Sequence, residues 1–155
     1  MNAILGDQPA VDVEQGWIKV VESVEGKFTQ HLLDGRHRLL ADEPVEVGGN
    51  DRGPGPYELL LMALGACTAM TVRLYVDRKN WPLSGISVRL SHKRIHARDC
   101  ADCETKEGML DQIERVIELE GPLDAGQKAQ ILEIAEKCPV HRTLTSAIKI
   151  RSRLA

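Results

Sequence analysis

The chain has 155 residues, 43% of them hydrophobic and 28% charged, with a formal net charge of −3 and a pI near 6.0. That length fits one domain with a core of its own, so residues 1–155 are expected to form a single domain. The weakly acidic balance argues against a nucleic-acid footprint, and an aromatic content of 3% argues against base-stacking platforms.

Met1–Ala10 has no positive region followed by an apolar stretch, so it does not read as a signal peptide. It is expected to be flexible, and the chain is expected to be cytoplasmic. Trp17–Ser23, Lys27–Leu33 and Arg36–Ala41 read as three short strands, with hairpin turns at Glu25-Gly26 and Asp34-Gly35. Val47–Pro56 is too rich in glycine and proline to be helix or strand and reads as a loop.

From Tyr57 to about Lys79 the pattern predicts one long helix. Pro56 suits its first turn, and Trp81-Pro82 stops it. Leu59–Ala66 is apolar on every face, which predicts burial on all sides. Thr68, Thr71 and Arg73 cut the apolar run short of the ~20 residues of a membrane span. No membrane partner is expected. One 155-residue domain has trouble covering such a helix, so a second copy is expected to cover it as a homodimer.

Ile86, Val88 and Leu90 begin a strand that runs to about His96. Ile113–Glu120 reads as another, with Ile113, Ile117 and Leu119 on one face. Asp124 opens a helix with a capping box completed by Gln127, carried to Lys137 and ended or kinked by Pro139. Ala147–Arg153 alternates as a closing strand, Ile148 and Ile150 inward. The class is α+β, with antiparallel sheets around a long central helix.

In a reducing compartment cysteines stay reduced unless they have chemistry to do, so the four cysteines carry the functional question. Cys67, mid-helix, reads by itself as a core residue. Cys138 lies in Glu136–Leu144, at a helix end with proline just after it. There the free N–H groups of a following turn, with His141 and Arg142 nearby, can stabilise a thiolate. A helix-stop proline beside a buried cysteine is the plainer alternative. Glu58 falls in the first turn of the long helix, where a carboxylate also suits the helix dipole. His92, His96, Cys100 and Cys103 form a run with zinc-ligand character. Asp99, Asp102 and Glu104 interleave it, so an auxiliary disulfide and a solvated acidic loop are its other readings.

Pro54–Thr68, ending in Leu-Gly-Ala-Cys-Thr, taken with Cys138-Pro-Val-His-Arg-Thr-Leu144, resembles the osmotically induced and organic hydroperoxide resistance proteins, the OsmC/Ohr family. The strand and helix order from about Val20 to Ile150 is similar too. The resemblance implies an intertwined homodimer with two long central helices between sheets. It implies thiol-dependent reduction of organic hydroperoxides, with Cys67 as the peroxidatic and Cys138 as the resolving cysteine. It implies an acidic residue at Glu58 and an arginine from the N-terminal part. Arg36, Arg38 and Arg52 lie in range, and Arg38 is the choice. No cofactor is implied beyond a reducing dithiol as co-substrate. The Cys100/Cys103 loop departs from the family's core pattern and marks a subgroup. The alternative function is a non-enzymatic dimeric binding or zinc-binding protein of the same fold.

Two physical arguments refine this. Cys67 lies too far inside its helix for that helix's dipole to lower its pKa, so a guanidinium is the better activator. Glu58 and Cys67 are nine positions apart on one helix, about 13.5 Å of rise and on opposite faces. A site that uses both therefore takes them from different subunits.

Overall fold

The computed structural model describes residues 12–104 and 106–155. The expectations for Met1–Ala10 lie outside the described residues. The chain divides into two compact units, one ending at Leu59 and one running from Leu60 to Ala155.

The first unit is an antiparallel meander of β1 (Lys19–Glu22), β2 (Gln30–Leu33) and β3 (Arg38–Ala41), in that order. Val21 pairs with His31, and His31 with Leu40. All three strands are shorter than the sequence predicts, because the turns consume their ends. At the second turn Asp34 Oδ1 accepts the amides of Arg36 at 2.8 Å and His37 at 2.5 Å, while Gly35 takes a positive φ of 86°. Those amides, His37 first, hold the Asp34 carboxyl well below the usual carboxylate range.

Asp42 follows β3 and is 2% exposed. Its Oδ2 accepts the Thr29 hydroxyl at 2.8 Å and the Arg52 amide at 3.4 Å, and its Oδ1 accepts the Glu43 amide at 2.8 Å. Burial pushes its pKa up, but these hydrogen bonds outweigh it and the carboxyl stays below its ordinary 3.8. Asp42→Ala is expected to lower Tm by several degrees at pH 7, because the buried Thr29 hydroxyl loses its acceptor. A depressed carboxylate pKa contributes stability that is present above the unfolded value and lost as pH falls through the folded one. The Tm gap between wild type and variant should therefore narrow below about pH 4 in a thermal-melt series.

The second unit holds most of α1 (Pro56–Lys79), which matches its predicted span. Asn80 closes it in the left-handed region, with φ of 52°, just before Trp81-Pro82. Leu64, Gly65, Thr68, Val72 and Val76 form one buried stripe at helical spacing. Gly65 stands in the stripe because a Cβ there would come within 2.8 Å of Leu90 Cδ1. Met62, Met70 and Leu74 are more than half exposed. Burial on all sides is thus not achieved within this unit: one stripe faces the core, and among the described residues Met62, Met70 and Leu74 stay uncovered. By length and composition α1 is one helix long and apolar enough to cross a membrane.

β4 (Gly85–His96) and β5 (Met109–Glu120) form a long antiparallel hairpin, in register from Gly85↔Glu120 to His96↔Met109. β5 begins four residues before the predicted Ile113. Its early part lacks apolar alternation and is held instead by cross-strand pairs, His92–Asp111 at 2.9 Å and Lys93–Glu114 at 3.0 Å. Val72 and Val76 of α1 pack with Leu83, Leu123, Ile131 and Ala135 into a core flanked by Ile86, Ile117 and Leu119.

α2 (Ala125–Glu136) opens with the predicted capping box. Asp124 Oδ1 accepts the Gln127 amide at 2.8 Å, and the Asp124 amide donates to Gln127 Oε1 at 2.9 Å. α3 (Pro139–Leu144) follows at once, with Pro139 in its first turn. The proline therefore starts a helix as well as ending one. The predicted closing strand Ala147–Arg153 is not formed. Ile148 is 56% exposed and Ile150 86% exposed, and neither described sheet extends to them. An alternating pattern supplies a face, but a strand also needs a ladder partner for its N–H and C=O groups.

Candidate active site: a thiol pair

Cys67 and Cys138 are free thiols in the second unit, within hydrogen-bonding reach of each other. Cys67 points from the middle of α1 and is partly exposed, whereas Cys138 is 0% exposed. Cys138 is the N-cap of α3, and its sulfur accepts the His141 amide at 3.5 Å. That position explains Pro139 locally. Proline presets the first helical φ, and the amides of Val140 and His141 are left without helical acceptors, facing the sulfurs.

The two thiols diverge in acidity. Burial pushes the Cys67 thiol up, and the adjacent Cys138 sulfur pushes it further. The Val140 amide and the Thr71 hydroxyl only partly offset this. Burial also opposes ionisation of Cys138, but there hydrogen bonds win. They come from the Cys67 thiol, the His141 amide, the Thr68 hydroxyl and the Val140 amide, and they bring Cys138 below the ordinary thiol value. The two sulfurs titrate as a coupled pair, and the surrounding hydrogen bonds favour ionisation of Cys138 over Cys67. With only six residues, α3 acts here through its local amides rather than through a long macrodipole.

Arg115 completes the surroundings. Its guanidinium donates to Thr68 Oγ1 at 3.0 Å and to the Ala135 carbonyl at 3.3 Å. Thr68 in turn has one hydroxyl proton, shared between the Leu64 carbonyl at 2.8 Å and the Cys138 sulfur. A half-buried cation thus stands one side chain behind the Cys138 sulfur. Arg115 was missed in the sequence, although a signal was there. It occupies the same period-two face of β5 as Ile113, Ile117 and Leu119, a position where a charge needs a reason.

A cleft of about 260 Å³ shares Arg115 and His141 with this site and is walled by Leu64, Ile113 and Leu144. Leu64 lines this cleft, whereas Leu60 and Met70 lie exposed on α1. His141 contributes its backbone amide to the sulfur, and Arg142 is exposed.

Arg38, half-buried on β3, and Glu58, exposed in the first turn of α1, belong to the first unit. Because α1 starts at Pro56, Glu58 and Cys67 lie on opposite faces of one continuous helix. The zinc set is not assembled. Cys100 and Cys103 are bonded to each other, and His92 Nε2 is 2.9 Å from Asp111 on the neighbouring strand. Among the described residues, only Asp102 joins the two cysteines in one cluster of ligand atoms.

The chain matches the family described as OsmC-like protein over residues 48–153. No curated protein matches it. Solved structures with a similar fold include an OsmC-like protein from Mycoplasma pneumoniae, at TM-score 0.64 and 19% identity, covering 84% of this chain and 87% of that one. An organic hydroperoxide resistance protein from Legionella pneumophila aligns at TM-score 0.59 and 18% identity over 86% of this chain and 91% of that one. Another from Elizabethkingia anophelis aligns at TM-score 0.57 and 15% identity over 85% and 90%. At these identities the structures establish a shared fold, and the family match covers well over half the sequence, the segments around Cys67 and Cys138 included. The chain therefore belongs to the OsmC-like protein family.

Proposed function

We propose that this chain is a cysteine-based peroxidase that reduces organic hydroperoxides and is reset by a dithiol. The observation that carries the reading is the juxtaposition of two free thiols of divergent acidity beside a small cleft that has an apolar wall of Leu64, Ile113 and Leu144 and a polar one of Asp111, Arg115, His141 and Thr145. Cys67 is the sulfur that meets the peroxide, because Cys138 has no exposed surface. As Cys67 attacks, its proton passes to the Cys138 thiolate, so Cys138 serves first as base. The Cys67 sulfur takes one peroxide oxygen, the O–O bond breaks, and the alkoxide leaves and is protonated to the alcohol. The resulting sulfenic acid condenses with the Cys138 thiol, forming a disulfide and releasing water. A dithiol then returns two electrons by exchange.

Within the second unit, Arg115 is the cation that supports the thiolate. It stays charged when partly buried, and its hydrogen bond to Thr68 turns that hydroxyl toward the sulfur. The size and walls of the cleft favour a small hydroperoxide with an apolar body. Peroxide consumption by the purified protein with a dithiol reductant tests the reading, and no consumption above a heat-denatured control would reject it.

A homodimer is part of the proposal. The exposed apolar side of α1, with Met62, Met70 and Leu74, is the surface a second copy would cover. The helix geometry then gives each site Cys67 and Cys138 of one subunit with Glu58 of the partner subunit. Glu58→Gln is expected to slow turnover roughly tenfold. An unchanged rate would leave Glu58 as a helix-dipole partner only. Mixing Glu58→Gln subunits with Cys67→Ser subunits should raise activity above the sum of the two, since each mixed dimer holds one intact site. A reducing cytoplasm is the compartment this dithiol-dependent cycle suits.

A further inference from the structure

The loop joining β4 to β5 carries a second pair of sulfurs that the peroxidase cycle leaves unused. Cys100 and Cys103 are joined in a disulfide. As a structural staple this bond does little. The ends of the loop are already fixed by the hairpin ladder, which reaches His96↔Met109, and the Ala97 amide donates to the Gly108 carbonyl at 2.9 Å. Inside the loop, Lys106 Nζ reaches the carbonyls of Cys100 at 3.2 Å and Ala101 at 3.3 Å. A bridge across a sequence separation of 3 closes a very short loop, so it removes little freedom from the unfolded chain. It ties no second element to the first.

What the bridge has instead is access. On one side Cys100 lines an open cleft of about 550 Å³, together with Ile95, His96, Asp99, Asp102 and Met109, and on the other Cys103 is partly exposed. Cys103 is the more exposed of the two cysteines, and Cys100 is 9% exposed. Asp102 Oδ1 lies 3.3 Å from Cys100 Sγ, so a reduced Cys100 thiol has its acceptor already in place. The bridge is also separate from the first thiol pair. Arg115, which touches Thr68, lies six positions along β5 from Met109, about 20 Å at the rise of a strand. Direct exchange between the two pairs within a subunit is out of reach, and the reacting thiol has to come from outside.

We propose that Cys100–Cys103 is a second redox centre, opened and closed by exchange with a low-molecular-weight thiol that reaches the partly exposed Cys103 at the loop surface. The incoming thiolate attacks the Cys103 sulfur. A mixed disulfide forms there, the Cys100–Cys103 bond breaks, and the electron pair leaves on Cys100, which takes a proton from solvent and donates it to Asp102. A second thiolate attacks the small-molecule sulfur of the mixed disulfide and releases Cys103 as thiolate, protonated in turn. Two thiols become one disulfide, and the loop gains two electrons and two protons. The reverse reaction consumes a small disulfide.

The test uses the full chain carrying Cys67→Ser and Cys138→Ser, so that its outcome is independent of the peroxidase reading. The folded protein is equilibrated in mixtures of reduced and oxidised glutathione, quenched by alkylation, and the peptide bearing both cysteines is weighed. The expected result is reversible opening and closing across the series, with the far-ultraviolet circular dichroism unchanged. A bridge that stays closed in millimolar reduced glutathione and opens only in denaturant would overturn the proposal. So would opening by a protein dithiol alone. Single variants fix the attacked sulfur. Cys100→Ser should form a mixed disulfide with oxidised glutathione at least about tenfold faster than Cys103→Ser does. The opposite order would overturn that assignment.

Discussion

Cys67→Ser is expected to abolish peroxide turnover, whereas Cys138→Ser should complete a single, slow turnover and then stop. The first outcome follows from the loss of the only sulfur of the pair that reaches solvent. The second has two parts. Without Cys138 no thiol condenses with the sulfenic acid, so the enzyme stalls after one equivalent and passes to sulfinic acid in excess peroxide. Without the Cys138 thiolate there is also no base for the Cys67 proton, and Cys67 keeps a thiol pushed up by burial. The single turnover should therefore be slower than the first turnover of wild type by roughly a hundredfold. Stopped-flow peroxide consumption and trapping of the sulfenic acid with a dimedone-type probe measure both parts. A Cys138→Ser burst as fast as wild type would remove the base role and leave only the resolving one.

Arg115→Leu should lower the first-turnover rate at pH 7 on the order of tenfold. The variant removes the donor that holds Thr68 Oγ1 and takes away the half-buried charge behind the thiolate. The pair then loses its first proton at higher pH than in wild type. The sign is direct. Donors that favour the thiolate hold Cys138 below the ordinary thiol value, so weakening them moves the midpoint up. Thiolate absorbance against pH reads this separately from stability. Arg115→Lys keeps the charge but not the fork that spans Thr68 and the Ala135 carbonyl, and it should fall between the two. A lower Tm with an unmoved midpoint would make Arg115 structural only.

Much of the second unit was legible because its signals are local. Pro56 and Trp81-Pro82 bound α1, Asp124 and Gln127 cap α2, and Ile86, Val88 and Leu90 mark β4. The cysteine pairing was legible through two motifs read together, since either thiol alone reads as core. What failed depends on partners that a local pattern does not name. Ile148 and Ile150 alternate as a strand does, yet no described strand lies alongside them. The apolar girth of α1 predicted complete burial, but it says only that the helix needs cover and not that one chain provides it. Arg115 was hidden for a different reason. Its role comes from contacts with Thr68 and Ala135, both distant in sequence, and only its place on the apolar face of β5 gave it away.

The central claim is that Cys67 and Cys138 act as one redox pair. Wild-type protein, pre-reduced with a dithiol and freed of it, is treated with one equivalent of tert-butyl hydroperoxide, alkylated and mapped by peptide mass. A Cys67–Cys138 disulfide formed in step with loss of the peroxide is the predicted result. Peroxide that persists while both cysteines remain alkylatable thiols would contradict it.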